Sequence, residues 1–163
     1  MTTTVQSFND IRDEFDAYVG DIVYSTMVTV DSKGRPRSRV LIPVWELVEG
    51  NPVGWLATYS TPIKEAHLAA NPHTTFSYWT RKQNQVHADT LADWVPFEDR
   101  TTRQHVWDLY EQTSPKGAGY PLGNFWNGIE DPKLRILRLS PWRIQVIRGR
   151  DLRSKIWKST AQN

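Results

Sequence analysis

Apolar positions along the chain change period early, and the change divides it into a helical start and a long strand-rich body. Phe8, Ile11, Phe15 and Tyr18 recur at intervals of three and four with acidic residues elsewhere, so residues 8–19 predict an amphipathic helix. Residues 22–30, 37–48 and 53–59 then alternate or run β-branched, and the breaks DSKGRP and VEGNP carry tight-turn residues. Three antiparallel strands are expected there. A short helix lies within YSTPIKEAHLAANP and is stopped by Asn71-Pro72. HTTFSYWT and NQVHADTLADWVPF predict two further strands joined by the polar turn RKQN. Helical spacing returns in 96–115, with Val106, Leu109 and Tyr110 on one side. Residues 114–133, rich in Gly, Pro and Asn, predict a long loop, of the kind that is functional or packed across a partner. One or two strands follow in 134–149, and residues 150–163 read as a basic, frayed end.

Five to seven strands with mostly short connections, bracketed by a few helices, predict a mainly β fold: an antiparallel barrel, closed or split. An open parallel sheet is disfavoured because most strand pairs lack a crossover helix. Neither a repeat nor a linker divides the 163 residues, so one domain over 1–163 is expected. No apolar run is long enough to span a bilayer, and the polar start MTTTVQSFNDIRDEF carries no signal-peptide core. A cytoplasmic location without membrane contact is the expectation.

Charge and cysteine content narrow the chemistry. Lys and Arg number 20 against 18 Asp and Glu, so charge gives a nucleic-acid partner no support. With no cysteine, disulfides, thiolate metal sites and cysteine nucleophiles are excluded, and any redox chemistry must come from a bound cofactor. His67, His73, His87 and His105 are scattered over different elements without zinc-like spacing, so no metal site is expected. Nucleophile-elbow, dinucleotide and P-loop motifs are all missing.

Two segments could hold an anion. Thr58, Ser60 and Thr61 stand at a strand-to-helix junction with Lys64 in the first turn, where free N–H groups and the helix dipole favour negative charge. The same residues suit an ordinary helix cap, and this segment alone leaves both possibilities open. Arg35, Arg37 and Arg39 share one face of a predicted strand, with Ser38, Val40 and Ile42 on the other. Such charges on an edge strand are ordinarily solvated. One of them beside Lys64 would make a two-cation grip on phosphate.

The run SRVLIPVW, GWLATYSTPIKEAHLAANPHTTFSYW and NQVHADTLADW, followed by GIEDPKLRILRLSPWRIQV, resembles the flavin-binding split-barrel superfamily of pyridoxamine 5′-phosphate oxidase, with its general stress protein 26-like subgroup. The likeness covers residues 20–148 and rests on order and spacing. It implies an FMN site in which Arg39 and Lys64 bind the phosphate and Val40, Leu41 and Ile42 run beside the flavin ring. Thr58 would touch the flavin at the strand end, with Tyr59, Ser60 and Thr61 completing that junction, and Gln85 would reach the cofactor from the next strand. It further implies a homodimer with the cofactor at the interface, where the loop around Tyr120 to Trp126 covers the partner's cofactor.

Departures from the family pattern are specific. Ile63 stands where an arginine precedes the phosphate lysine, and Ile147 where the last strand carries tryptophan. Arg153 falls near the substrate-binding arginine, but its neighbours do not match, so oxidation of pyridoxamine phosphate is not expected. The resemblance instead implies an FMN-dependent oxidoreductase acting on an unidentified small molecule. Trp79, Trp94, Tyr120 and Trp126 are the candidate walls of the substrate space, and no side chain is singled out as acid or base. A deazaflavin coenzyme in place of FMN, and a non-enzymatic flavin carrier or ligand-binding module, are the alternatives.

Overall fold

The computed structural model describes residues 1–113 and 120–160. Ser7 and Asp10 form a reciprocal capping box around a short 3-10 turn, Phe8–Asp10, and helix α1 follows over Arg12–Ile22. The break falls at Ile11, whose backbone leaves the helical region, so the predicted helix comes in two pieces. Its second piece runs to Ile22, into the expected first strand, and ends at Val23 with a φ of 65°.

The strands are β1 (Thr2–Thr4), β2 (Ser25–Val30), β3 (Pro36–Leu41), β4 (Val44–Val48), β5 (Asn51–Tyr59), β6 (His73–Trp79), β7 (Gln85–Trp94), β8 (Leu134–Ile147) and β9 (Ser154–Lys158). Helices α2 (Pro62–Ala70) and α3 (Arg100–Thr113) complete the element list with a second 3-10 turn, Leu122–Asn124. Pairing runs β3-β2-β6-β7-β8, and β8 carries β5-β4 along its first half and β9-β1 along its second. Every pair is antiparallel except β1 with β9. The sheet does not close into a barrel, and helices flank it. Among the described residues β3 pairs only with β2, which makes it a free edge.

Three local departures from the sequence expectation have physical causes. The expected strand 37–48 breaks at Ile42-Pro43, because proline has no N–H to give to a ladder. The Tyr110 hydroxyl seals that break by donating to the Ile42 carbonyl at 2.6 Å, and it accepts from the Ala57 N–H at 3.1 Å. Strand β8, in contrast, passes through Pro141 unbroken, since a register shift opposite Asp89 and Thr90 absorbs the residue that cannot donate. The expected frayed end is strand β9: Trp157 is buried there, its ring 5.6 Å from that of Phe8 in an edge-to-face pair.

Two cores result. Phe8, Ile11 and Phe15 pack with Met27, Leu56, Phe76 and Ile144 on the inner face of the sheet. Trp45 lies over Gly54, where a Cβ would come within 2.7 Å of the indole, so this position admits no larger residue without displacing the ring. On the far side of β4, β5 and β8, Val106 and Tyr110 of α3 join Leu122 and Trp126 in the second core. Leu122 and Trp126 of the expected loop are thereby buried in their own chain.

Candidate functional site

Register decides which side chains meet. Arg39 pairs with Met27 and Arg37 with Thr29, so both arginines share the inner face of β2 and β3, while Ser38 and Val40 face out. Helix α2 lies against this inner face. Its start is capped by Thr61, whose hydroxyl accepts from the Lys64 N–H at 3.3 Å, with Pro62 in the first turn. From there α2 points Lys64 back to the end of β5. The buried ammonium donates to Thr58 Oγ1 at 2.6 Å and to the Tyr59 carbonyl at 2.9 Å.

Arg39 is fixed from the other side. Its Nη2 donates to Thr29 Oγ1 at 2.9 Å, and that hydroxyl stands 3.0 Å from Nδ1 of the buried His67, one helical turn after Lys64. The other terminal nitrogen, Nη1, is buried with no hydrogen-bond partner among the described residues. Burial lowers the Arg39 pKa, and burial together with the Arg39 charge lowers that of Lys64 to about 8. Two cations stand close enough to repel each other. In such a place a single anion would relieve the repulsion and satisfy the orphaned N–H groups.

Beside them a groove of about 750 Å³ opens between β3 and α2, lined by Arg35, Arg37, Arg39, Ile63, Ala66 and His67 among others. Ile63, where the family pattern has arginine, is 66% exposed on this groove and adds no charge.

The other expected cofactor residues divide. Thr58 and Tyr59 belong to the cradle through Lys64. Thr61 serves as the helix cap, and the Ser60 hydroxyl is taken by Glu65, which also pairs with Arg135. Leu41 packs against the inner core and Ile42 is buried at the β3–β4 break. Val40 and Gln85 are not brought to the cradle within one chain. Gln85 pairs with Trp79 and Ile147 on the outer face, opposite to Arg39, and its Oε1 is 3.2 Å from His87 Nε2.

The four candidate walls also separate. Trp126 and Tyr120 join Tyr59 and Phe125 in an aromatic cluster, with ring centroids 4.9 Å apart for Tyr59 and Trp126 and 4.8 Å for Tyr120 and Phe125. Since the Tyr59 carbonyl holds Lys64, this cluster adjoins the cradle. Trp126 is a core residue, and its buried Nε1 has no hydrogen-bond partner among the described residues. Trp79 stands on the outer face, 65% exposed, and Trp94 stacks under Arg135 at 4.9 Å. Neither belongs to this cluster. Arg153 is exposed beside Asp151, 3.7 Å away.

Solved structures share this architecture. A Clostridium acetobutylicum protein related to general stress protein 26, of the pyridoxine-phosphate oxidase family, superposes with a TM-score of 0.67 at 18% identity over 91% of this chain and 94% of that one. The fold is that of the pyridoxamine 5′-phosphate oxidase-like split barrels. A Nostoc punctiforme protein described as pyridoxamine 5′-phosphate oxidase-related and FMN-binding gives a TM-score of 0.65 at 15% identity, over 89% of this chain and 88% of its own. A Mycobacterium smegmatis heme-binding protein gives 0.61 at 13% identity, with 86% of this chain matched to 55% of that one. No protein-family model matches the sequence, and no curated protein matches it.

Hydrogen bonding to Arg39 brings two further residues, Thr29 and His67, into the same cradle. His67 follows Lys64 by three positions, a spacing that puts both on neighbouring parts of one helix face and could have signalled it. Thr29 gave no signal at all, because its meeting with Arg39 depends on the register of β2 against β3.

Proposed function

We propose that this chain is an FMN-dependent oxidoreductase whose cofactor phosphate is gripped by Arg39 and Lys64. The observation that carries this reading is the buried, unpartnered Nη1 of Arg39 next to a second buried cation. Both residues stand where the split-barrel pattern has its phosphate ligands, and the donor set suits a phosphate dianion. FMN, when bound, would supply the hydride chemistry. The protein's part is to hold it. Thr29 and His67 orient Arg39, Thr58 and the Tyr59 carbonyl orient Lys64, and the cluster of Tyr59, Tyr120, Phe125 and Trp126 offers an aromatic wall beside the strand end.

A homodimer belongs to the same reading. Because Arg39 and Gln85 face opposite sides of the sheet, one cofactor touching both needs two copies of the chain, with Gln85 coming from the second. The exposed Val40 and Trp79 lie on that outer face and would be covered. A cytoplasmic location is part of the proposal.

The deciding experiment is an absorbance spectrum of the purified protein, with mass spectrometry of whatever denaturation releases and an FMN titration of the stripped protein. Flavin bands and tight FMN binding are expected. A released deazaflavin would change the cofactor, a Soret band would move the function toward haem, and protein with neither bound flavin nor affinity for FMN would end the reading. Reoxidation of reduced holoprotein no faster than free flavin with any acceptor would make it a carrier.

A further inference from the structure

We infer that His87 is a positioning residue: it holds the Gln85 side chain by its carbonyl oxygen, so that Gln85 offers an amide N–H to the cofactor of the second copy. The inference rests on the flavin reading above and adds to it the polarity of the contact that crosses the dimer. Gln85, His87 and Asp89 follow one another at two-residue steps on the outer face of β7. His87 sits between two uncharged groups, with Ser77 Oγ 3.0 Å from Nδ1 and Gln85 Oε1 3.2 Å from Nε2. The carboxylate beside it is already taken, since Asp89 accepts from Thr75 at 2.8 Å and from Arg143 at 2.9 Å. Burial lowers the His87 pKa, with Asp89 acting against the shift and Arg143 adding to it, so the ring is neutral at neutral pH.

A neutral imidazole has one N–H and one bare nitrogen. The Gln85 oxygen can only accept, whereas the Ser77 hydroxyl can donate, so the ring proton belongs on Nε2 and Nδ1 accepts from Ser77. That fixes the amide. With Oε1 occupied, Gln85 has its NH2 left to offer, and this group makes no hydrogen bond among the described residues. Trp79 stands directly across from Gln85 and is 65% exposed, so the amide lies beside an uncovered aromatic surface. A free glutamine could turn either end to a partner, but one held by an imidazole N–H loses that bond if it turns. A fixed N–H selects the acceptor atoms of the flavin ring, where negative charge gathers on reduction, and so stabilises the reduced form.

The tautomer is read in the stripped protein by heteronuclear NMR of the His87 ring at neutral pH, and a proton on Nε2 is expected. Its consequence is read from the affinities for oxidised and reduced FMN, whose ratio sets the midpoint potential of the bound flavin. Gln85→Leu should lower the preference for the reduced form about tenfold, and His87→Leu about threefold to tenfold. In the Gln85→Leu background His87→Leu should change nothing further, because it acts through Gln85. His87→Gln keeps an N–H for the Gln85 oxygen and should restore the wild-type ratio. The inference is overturned by a proton on Nδ1, by additive effects of the two leucine substitutions, by an unchanged ratio in His87→Leu, or by a ratio in His87→Gln as low as in His87→Leu. The tautomer decides even where His87→Leu does not fold. Those outcomes leave the flavin reading standing, while failure of FMN to bind removes both.

Discussion

Two polar regions lie on opposite faces of the same sheet, and they are built on opposite terms. On the outer face Thr75 donates to Asp89 at 2.8 Å, Asp89 accepts from Arg143 at 2.9 Å, Arg143 reaches Gln145, and Gln145 donates to Ser154 at 2.7 Å. Ser77, His87 and Gln85 form a second chain beside it. Here the arginine has its carboxylate. On the inner face Arg39 and Lys64 sit together without one, and a buried guanidinium nitrogen goes unpaired. A satisfied network stabilises the fold by itself, whereas a buried Lys64 beside a half-buried Arg39, with no anion between them, lowers stability until something anionic arrives. The contrast separates scaffold from site more sharply than residue type does, since both regions are made of arginine, threonine and histidine.

Exchanging the two arginines' fates gives the largest expected effect. Arg39→Gln should weaken FMN binding on the order of 100-fold with no loss of melting temperature, measured by flavin fluorescence and calorimetry on the same samples. Arg143→Gln should do the reverse, costing about 1–3 kcal/mol of stability by stranding Asp89 while FMN affinity stays within a few-fold. Equal effects of both variants on binding would erase the distinction.

Lys64→Met comes next, with an expected loss of about tenfold in FMN affinity. Stability of the stripped protein should hold or rise, because the substitution removes a charge that burial disfavours.

Proton linkage sharpens the same point more gently. The Lys64 pKa lies near 8 in the folded chain, below its ordinary 10.5, so the stripped protein should gain stability as pH rises from about 8 towards 10.5, where only the unfolded chain still holds the proton. A bound phosphate favours the charged ammonium and raises that pKa again. FMN affinity should therefore be level just below pH 8 and fall above it by up to tenfold per pH unit, with proton uptake on binding measurable by calorimetry in buffers of different ionisation enthalpy. Affinity that rises above pH 8 would contradict a charged Lys64 at the phosphate.

The smallest effect belongs to Thr29→Val, which cuts the link between Arg39 and His67 without touching either charge. A loss of about threefold to fivefold in FMN affinity is expected by titration.

Period and turn chemistry made most strands legible, because β5, β6 and β7 alternate plainly and are bounded by Gly, Pro and Asn. The β3–β4 break was hidden inside one apolar run. Ile42-Pro43 looks continuous until the missing N–H is set against the Tyr110 hydroxyl, which arrives from a helix far along the chain. Strand β9 was misjudged because its lysines dominate a short segment and the burial of Trp157 depends on Phe8 at the other end of the sequence. For the site, Lys64 and Arg39 were readable as a pair through family spacing and Gln85 as a third member. That Gln85 faces away follows only from counting register across β3, β2, β6 and β7.

Strand β8 has a consequence for how the chain is made. It begins at residue 134, yet it is the strand to which β5, β7 and β9 all bind, and through them β4, β6 and β1. A ribosome delivers β5 and β7 before their shared neighbour, so both emerge as edges with nothing to pair against on that side. During synthesis the nascent protein must keep those edges from other chains until β8 is out. Its vulnerability to misassembly is greatest just before β8 is delivered, and slow elongation between β7 and β8 would prolong it.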